Sequence, residues 1–128
     1  MSPSYSPIAA CAPLSNPDAA PYDKRWLVVD ESGHMLARQQ CPALEQVTVE
    51  ISFGYLAIRA PGMLRMDIPL DVIEDDESAC LEAQIGAQRV KVVDEGDLTA
   101  AWISNFLGRP SRLVKIHPDA AAVSWPER

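Results

Sequence analysis

The sequence predicts an all-β fold, mainly antiparallel and closed into a small barrel of about eight short strands, with one α-helix near 98–107. Three observations lead there. Short β-branched or alternating runs recur along the chain, each ended within a few positions by turn residues. Only one segment carries the period of a helix. A sheet made of so many short strands also exposes edges, and closure into a barrel removes them.

Residues 1–5 are expected to be a flexible N-terminus, 6–117 a single domain and 118–128 a tail. Pro3, Pro7, Pro13, Pro17 and Pro21 each lack an amide donor and push the preceding residue toward extended backbone. The early chain therefore holds at most a short strand over 5–11, followed by irregular chain. The clearest strand is 26–30, Trp-Leu-Val-Val-Asp, stopped by Glu31-Ser32-Gly33. A tight turn there returns the chain through 35–40 as a hairpin, and Pro42 ends it. Alternation of polar and apolar residues predicts strands at 46–51, 55–59 and 63–69, separated by turns at 52–54 and Ala60-Pro61-Gly62. A further pair, 80–85 and 89–93, flanks Gly86, and 112–117 is the last strand.

Leu98, Trp102, Ile103, Phe106 and Leu107 form one apolar helical stripe. Asp97 is expected to cap its N-terminus, and Gly108 followed by Arg109-Pro110 to stop it. The bulky residues, Trp102 among them, are expected in the core, plugging one end or face of the sheet so that the helix covers the barrel's opening.

The chain has 128 residues, 48% apolar and 23% charged, the composition of a globular domain and not of a disordered chain. No apolar run is long enough to span a membrane, and the first residues lack the basic and apolar regions of a secretory signal. Eleven Lys and Arg against eighteen Asp and Glu give a net charge of −7, which repels a phosphate backbone and argues against nucleic-acid binding. Asp67, Asp71, Glu74, Asp75, Asp76 and Glu77 crowd one stretch without the spacing of a calcium loop, and read as a solvated loop.

Cys11, Cys41 and Cys80 are far apart and include no C-x-x-C, so reduced thiols in the cytoplasm and no structural zinc are expected. His34 reads as a turn residue and His117 as the end of a strand, and neither Cys11 nor His34 is expected in a Cys–His pair. No phosphate loop, nucleophile elbow, dinucleotide fingerprint or zinc-protease motif occurs, and no catalytic residue is assigned. The unusual local feature is Tyr22-Asp23-Lys24-Arg25-Trp26, which sets two cations beside an aromatic at the entry of the best strand. Lys24 and Arg25 read either as an anion contact or as surface ion pairing with Arg25 packed along Trp26.

The run Tyr22 to Asp30, with Gly33, Leu36, Arg38-Gln39 and Pro42-Ala43-Leu44, resembles the MOSC N-terminal β-barrel domain. The stretch from Gly96-Asp97-Leu98 through Trp102-Ile103-Ser104 to Gly108, then Arg112-Leu113-Val114, is similar to that domain's closing helix and strand, and Ala60-Pro61-Gly62 to its central turn. The resemblance implies a barrel that elsewhere precedes a MOSC domain, as in molybdenum cofactor sulfurases and amidoxime-reducing enzymes. It implies that the MOSC half supplies the molybdenum-ligating cysteine, and that the barrel contacts the cofactor's phosphate. Relatives open with a Pro-Ile-Lys-Ser-Cys-like motif, whereas this chain has Pro7-Ile8-Ala9-Ala10-Cys11. Lys24 stands where relatives carry a basic residue directed at the same phosphate.

The expectation is therefore a stand-alone binding or accessory module that holds no metal or cofactor by itself, with a separate MOSC-domain protein or a small anionic ligand as partner. The alternative is one half of a split molybdenum-cofactor oxidoreductase or sulfur-transfer enzyme, marked by an exposed apolar patch.

Overall fold

A computed structural model describes residues 5–9, 11–36, 41–69 and 80–117, with Cys80 by its backbone alone. The expectations for residues 1–4, 37–40, most of the acidic run and the tail from Pro118 lie outside the described residues. Seven strands are observed among them: β1 (Trp26–Asp30), β2 (Thr48–Ser52), β3 (Tyr55–Arg59), β4 (Met66–Pro69), β5 (Cys80–Ile85), β6 (Gln88–Asp94) and β7 (Ser111–Ile116). One α-helix, α1 (Asp97–Leu107), joins β6 to β7, and 3₁₀ turns occupy Pro17–Tyr22 and Pro42–Gln46. All strand pairs are antiparallel, in a four-stranded sheet of order β1-β7-β6-β5 and a three-stranded meander of order β2-β3-β4.

The four-stranded sheet closes on itself through the segment after β1. Leu36 N–H donates to Val28 O and Asp30 N–H to His34 O, both at 2.8 Å, which pairs this segment with the free edge of β1. Met35 N–H donates to Gln84 O at 2.9 Å and Gln84 N–H to Gly33 O at 2.8 Å, which pairs it with the free edge of β5. The four residues Gly33–Leu36 thus bridge the two edges. The expected N-terminal strand is reduced to two bridges, Tyr5 with Leu14 and Ile8 with Trp26. Seven strands are thus counted among the described residues, and most of the expected return strand 35–40 lies outside them.

β1 is buried on both faces, which explains its unbroken apolar run where a half-wet strand would alternate. Leu27 and Val29 join Ala9, Ala83, Ile85, Val90, Val92, Val114 and Ile116 on the barrel side. Trp26 and Val28 join Leu113 on the other side, against Leu44, Val47, Val49, Leu56, Ile58 and Ile68. Burying each such side chain contributes about 1.5–3 kcal/mol, so β1 serves two cores with five residues.

The helix belongs to the second core. Ile103 is buried there, with Trp102, Phe106 and Leu107 packed partly against it. It therefore covers a face of the sheet and not the barrel opening, because its apolar stripe meets the side of β7 that carries Leu113. Leu98, at the start of the stripe, is 79% exposed, and Trp102 is half-buried with Nε1 donating to Leu64 O at 2.7 Å. The N-cap is Gly96 at φ 106°, not Asp97, which is the first helical residue and is engaged by Arg112 Nη2 at 2.7 Å. Gly108, at φ 73°, ends the helix as expected, its N–H donating to Ser104 O.

Candidate functional site

The entry to β1 is built by two loops laced together. Asp23 Oδ1 accepts the N–H of Ser6 at 2.7 Å, and Lys24 N–H donates to Ser6 O at 2.8 Å. Trp26 N–H donates to Pro7 O and Ala9 N–H to Trp26 O, at 2.9 and 2.8 Å. Arg25 N–H reaches back to Tyr22 O, and Arg25 O accepts from Ile116 N–H, which continues the β1–β7 ladder. Lys24 itself sits at φ 54°, a left-handed conformation that costs an L-residue roughly 1–2 kcal/mol. The surrounding hydrogen bonds hold it there, so the basic pair is presented on a defined turn and not on a loose loop.

Both cations are half-buried, and among the described residues the buried Arg25 Nε has no hydrogen-bond partner. The cation over the Trp26 ring is Lys115, whose Nζ lies 5.1 Å from the centroid, while Tyr22 stacks at 6.3 Å. Lys115 is 4% exposed and stands opposite Trp26 in the β1–β7 register. The indole Nε1 donates to Glu95 Oε2 at 2.7 Å. Burial pushes the Glu95 carboxyl above its ordinary value, opposed by the indole hydrogen bond and the charge of Lys115 and reinforced by Asp94. Sequence reasoning missed both Lys115 and Glu95. The one available signal was a lysine sharing the strand face of Leu113, which stays ambiguous until β1 is known to pair with β7.

Arg112 sits further along β7, donating through Nε to Asp94 Oδ2 at 3.0 Å, and these partners raise its pKa further. Cys11 is buried in the second core, whereas His34 is exposed at the far end of β1 beside Asp30, so the structure does not bring them together. Neither Cys11 nor Cys41 is in a disulfide. No group of three or more metal-ligating side chains occurs among the described residues.

These features define a small antiparallel β-barrel domain flanked by a three-stranded sheet, with a basic turn at the entry of its first strand. The chain belongs to the MOSC N-terminal beta barrel domain family, whose model matches residues 5–110. It is 30% identical over 122 residues to a molybdenum cofactor sulfurase of Danio rerio, covering 88% of this chain and 15% of that protein. To a mitochondrial amidoxime-reducing component 1 of Danio rerio it is 31% identical over 99 residues, covering 76% of this chain and 30% of that one. The solution structure of a Bordetella bronchiseptica protein is similar to it with a TM-score of 0.83 and 55% identity, over 96% of this chain and 95% of that one. The chain thus spans less than a third of either enzyme, but nearly all of the bacterial structure.

The donor set can be tested against the family's cofactor. Ala9, a methyl group buried in the barrel lining, stands where the resemblance places a lysine. Lys24 and Arg25 stand at this entry, with the buried Lys115 behind them over Trp26, and such cations suit an oxyanion and not a metal.

Proposed function

We propose that this chain is a binding module that takes a small oxyanion, such as a phosphate group, at the Lys24–Arg25 turn and supplies no reacting group to it. The observation that carries the reading is the preorganised turn: Lys24 is held left-handed by Ser6, beside an Arg25 Nε that lacks a partner among the described residues. A hydrogen bond to a charged group contributes about 1.5–3 kcal/mol. With Ala9 in place of a lysine, one such contribution is missing, and the expected affinity falls in the millimolar range, roughly 4 kcal/mol. The reading includes a cytoplasmic setting with reduced thiols and no nucleic-acid partner. No helix among the described residues is long and apolar enough to cross a membrane.

Amide shifts at Lys24 and Arg25 on titration with inorganic phosphate test this. Saturable shifts that vanish in Lys24→Ala/Arg25→Ala support the reading, and none at about 10 mM phosphate removes it.

A second reading makes the chain the partner of a separately encoded MOSC-domain protein in a molybdenum-cofactor-dependent oxidoreductase or sulfur-transfer enzyme. The exposed Leu98 and Leu64, beside the half-buried Trp102, supply the apolar patch this needs. Failure of a MOSC-domain protein to co-purify with the tagged chain counts against it.

A further inference from the structure

The opposite end of β1 carries a second concave site that neither the family nor the basic turn accounts for. A cleft of about 230 Å³ opens between the turn after β1 and the outer face of β5–β6, lined by Ser32, Gly33, His34, Glu82, Gln84 and Arg89. It lies the length of β1 from Lys24, about 13–16 Å away. Its floor is rigid. Asp30 Oδ1 accepts the N–H groups of Ser32 and His34 at 2.9 and 3.0 Å, and Gly33 N–H donates to Asp30 O at 3.0 Å. The two bonds that close the barrel, Met35 to Gln84 and Gln84 to Gly33, run beneath it. Gly33, at φ 85°, lies so close to β5 that a Cβ there would stand 3.3 Å from Glu82 O.

The rim carries one carboxylate, Glu82, and one guanidinium, Arg89. Gln84 opposes Arg89 in the β5–β6 register and Glu82 opposes Lys91, so Glu82 and Arg89 are diagonal neighbours on the outer face. Among the described residues no ion pair or hydrogen bond engages the Arg89 guanidinium or the Glu82 carboxylate. The Gln84 amide is turned back to Gly86 O at 2.7 Å, and the His34 ring lies 3.9 Å from Asp30. A simple anion entering this cleft would face Glu82, and a simple cation would face Arg89. A neutral molecule bearing both charges meets each with its complement.

We propose that this cleft binds a small zwitterion of the amino-acid type, its carboxylate on Arg89 and its ammonium on Glu82. The volume sits below the range usual for drug-sized ligands and suits a molecule of this size. The hydrogen-bonded backbone of Gly33 and Gln84 gives the cleft a defined floor, so binding has only the two exposed charged side chains to order.

Amide shifts of the full chain on titration with glycine and L-glutamine test the proposal, with acetate and methylammonium as single-charge probes. Saturable shifts at Gly33, His34 and Gln84 are expected with at least one zwitterion, with Lys24 and Arg25 unmoved. Binding should weaken about tenfold or more in Arg89→Gln and in Glu82→Gln, both solvent-exposed changes that leave the barrel folded. No saturable shift at about 50 mM of either zwitterion would overturn it. So would an equal response to acetate or methylammonium alone, or binding that both variants leave unchanged. Because phosphate at Lys24 is read through different amides, either site can fail without the other.

Discussion

The indole Nε1 of Trp26 donates to Glu95 Oε2 at 2.7 Å, tying the first residue of β1 to the connection between β6 and α1 across 69 positions of sequence. Trp26 is fully buried, so its one donor must find an acceptor inside the protein. Glu95 provides it, and Lys115 over the indole face compensates the carboxylate's charge. The three groups anchor the strand whose entry turn carries Lys24 and Arg25. A buried arrangement of this kind depends on its members acting together, since removing one weakens the compensation of the others.

Trp26→Phe therefore removes a hydrogen bond to a charged group and leaves a void beside Lys115. The expected destabilisation is about 3 kcal/mol, combining roughly 1.5–3 for the bond with a cavity contribution. Urea unfolding of the two proteins measures it, and a loss within experimental error would contradict the anchoring role.

Glu95 also predicts a pH dependence. Its folded pKa is raised by burial, so in the window between its unfolded and folded values the native state binds more protons than the unfolded state. Stability from this group is fully present below the unfolded carboxyl value, about 4.3, and is lost as pH rises through the folded value. Glu95→Gln keeps an acceptor for Trp26 and abolishes the titration. The stability of the native protein relative to this variant should fall as pH rises above the unfolded carboxyl value of about 4.3, followed by urea unfolding at several pH values. A flat or rising difference is the contrary result.

Ser104 ties the end of α1 to the start of β7. Its Oγ accepts the N–H of Ser111 at 2.8 Å and donates to Ser111 O at 2.9 Å. Ser104→Ala leaves both backbone groups of a buried residue without these partners, at an expected cost of about 2 kcal/mol. Hydrogen exchange at the Ser111 amide should accelerate in step with the loss of stability.

Phe53 predicts the reverse sign. It occupies the tip of the β2–β3 hairpin at φ 51°, ahead of Gly54 at φ 81°, and is 99% exposed. A phenylalanine there carries left-handed strain and buries nothing, whereas Asn-Gly is the favoured pair for such a turn. Phe53→Asn should stabilise the protein by about 1 kcal/mol, seen as a higher urea midpoint at unchanged slope. A destabilised variant would show that the ring has a native partner.

Much of this architecture is readable from local chemistry. The unbroken run 26–29, the alternating run that became β2, and the Gly108 stop each reflect a constraint acting within a few residues, namely burial on two faces, burial on one, and left-handed backbone, whereas β3, whose sequence also alternates, is buried on both faces at Leu56, Ala57 and Ile58. The basic pair at the entry of β1 was legible for the same reason, since a turn followed by the strongest strand fixes where Lys24 and Arg25 stand. Tertiary structure alone decided the remainder. That four residues after β1 close the barrel, that α1 lies on a face and not over the opening, and that Glu95 and Lys115 meet Trp26 all depend on segments far apart in sequence. Side-chain periodicity states which face of an element is apolar; it carries no information about which distant element will cover that face, because that is settled by the packing of the whole chain.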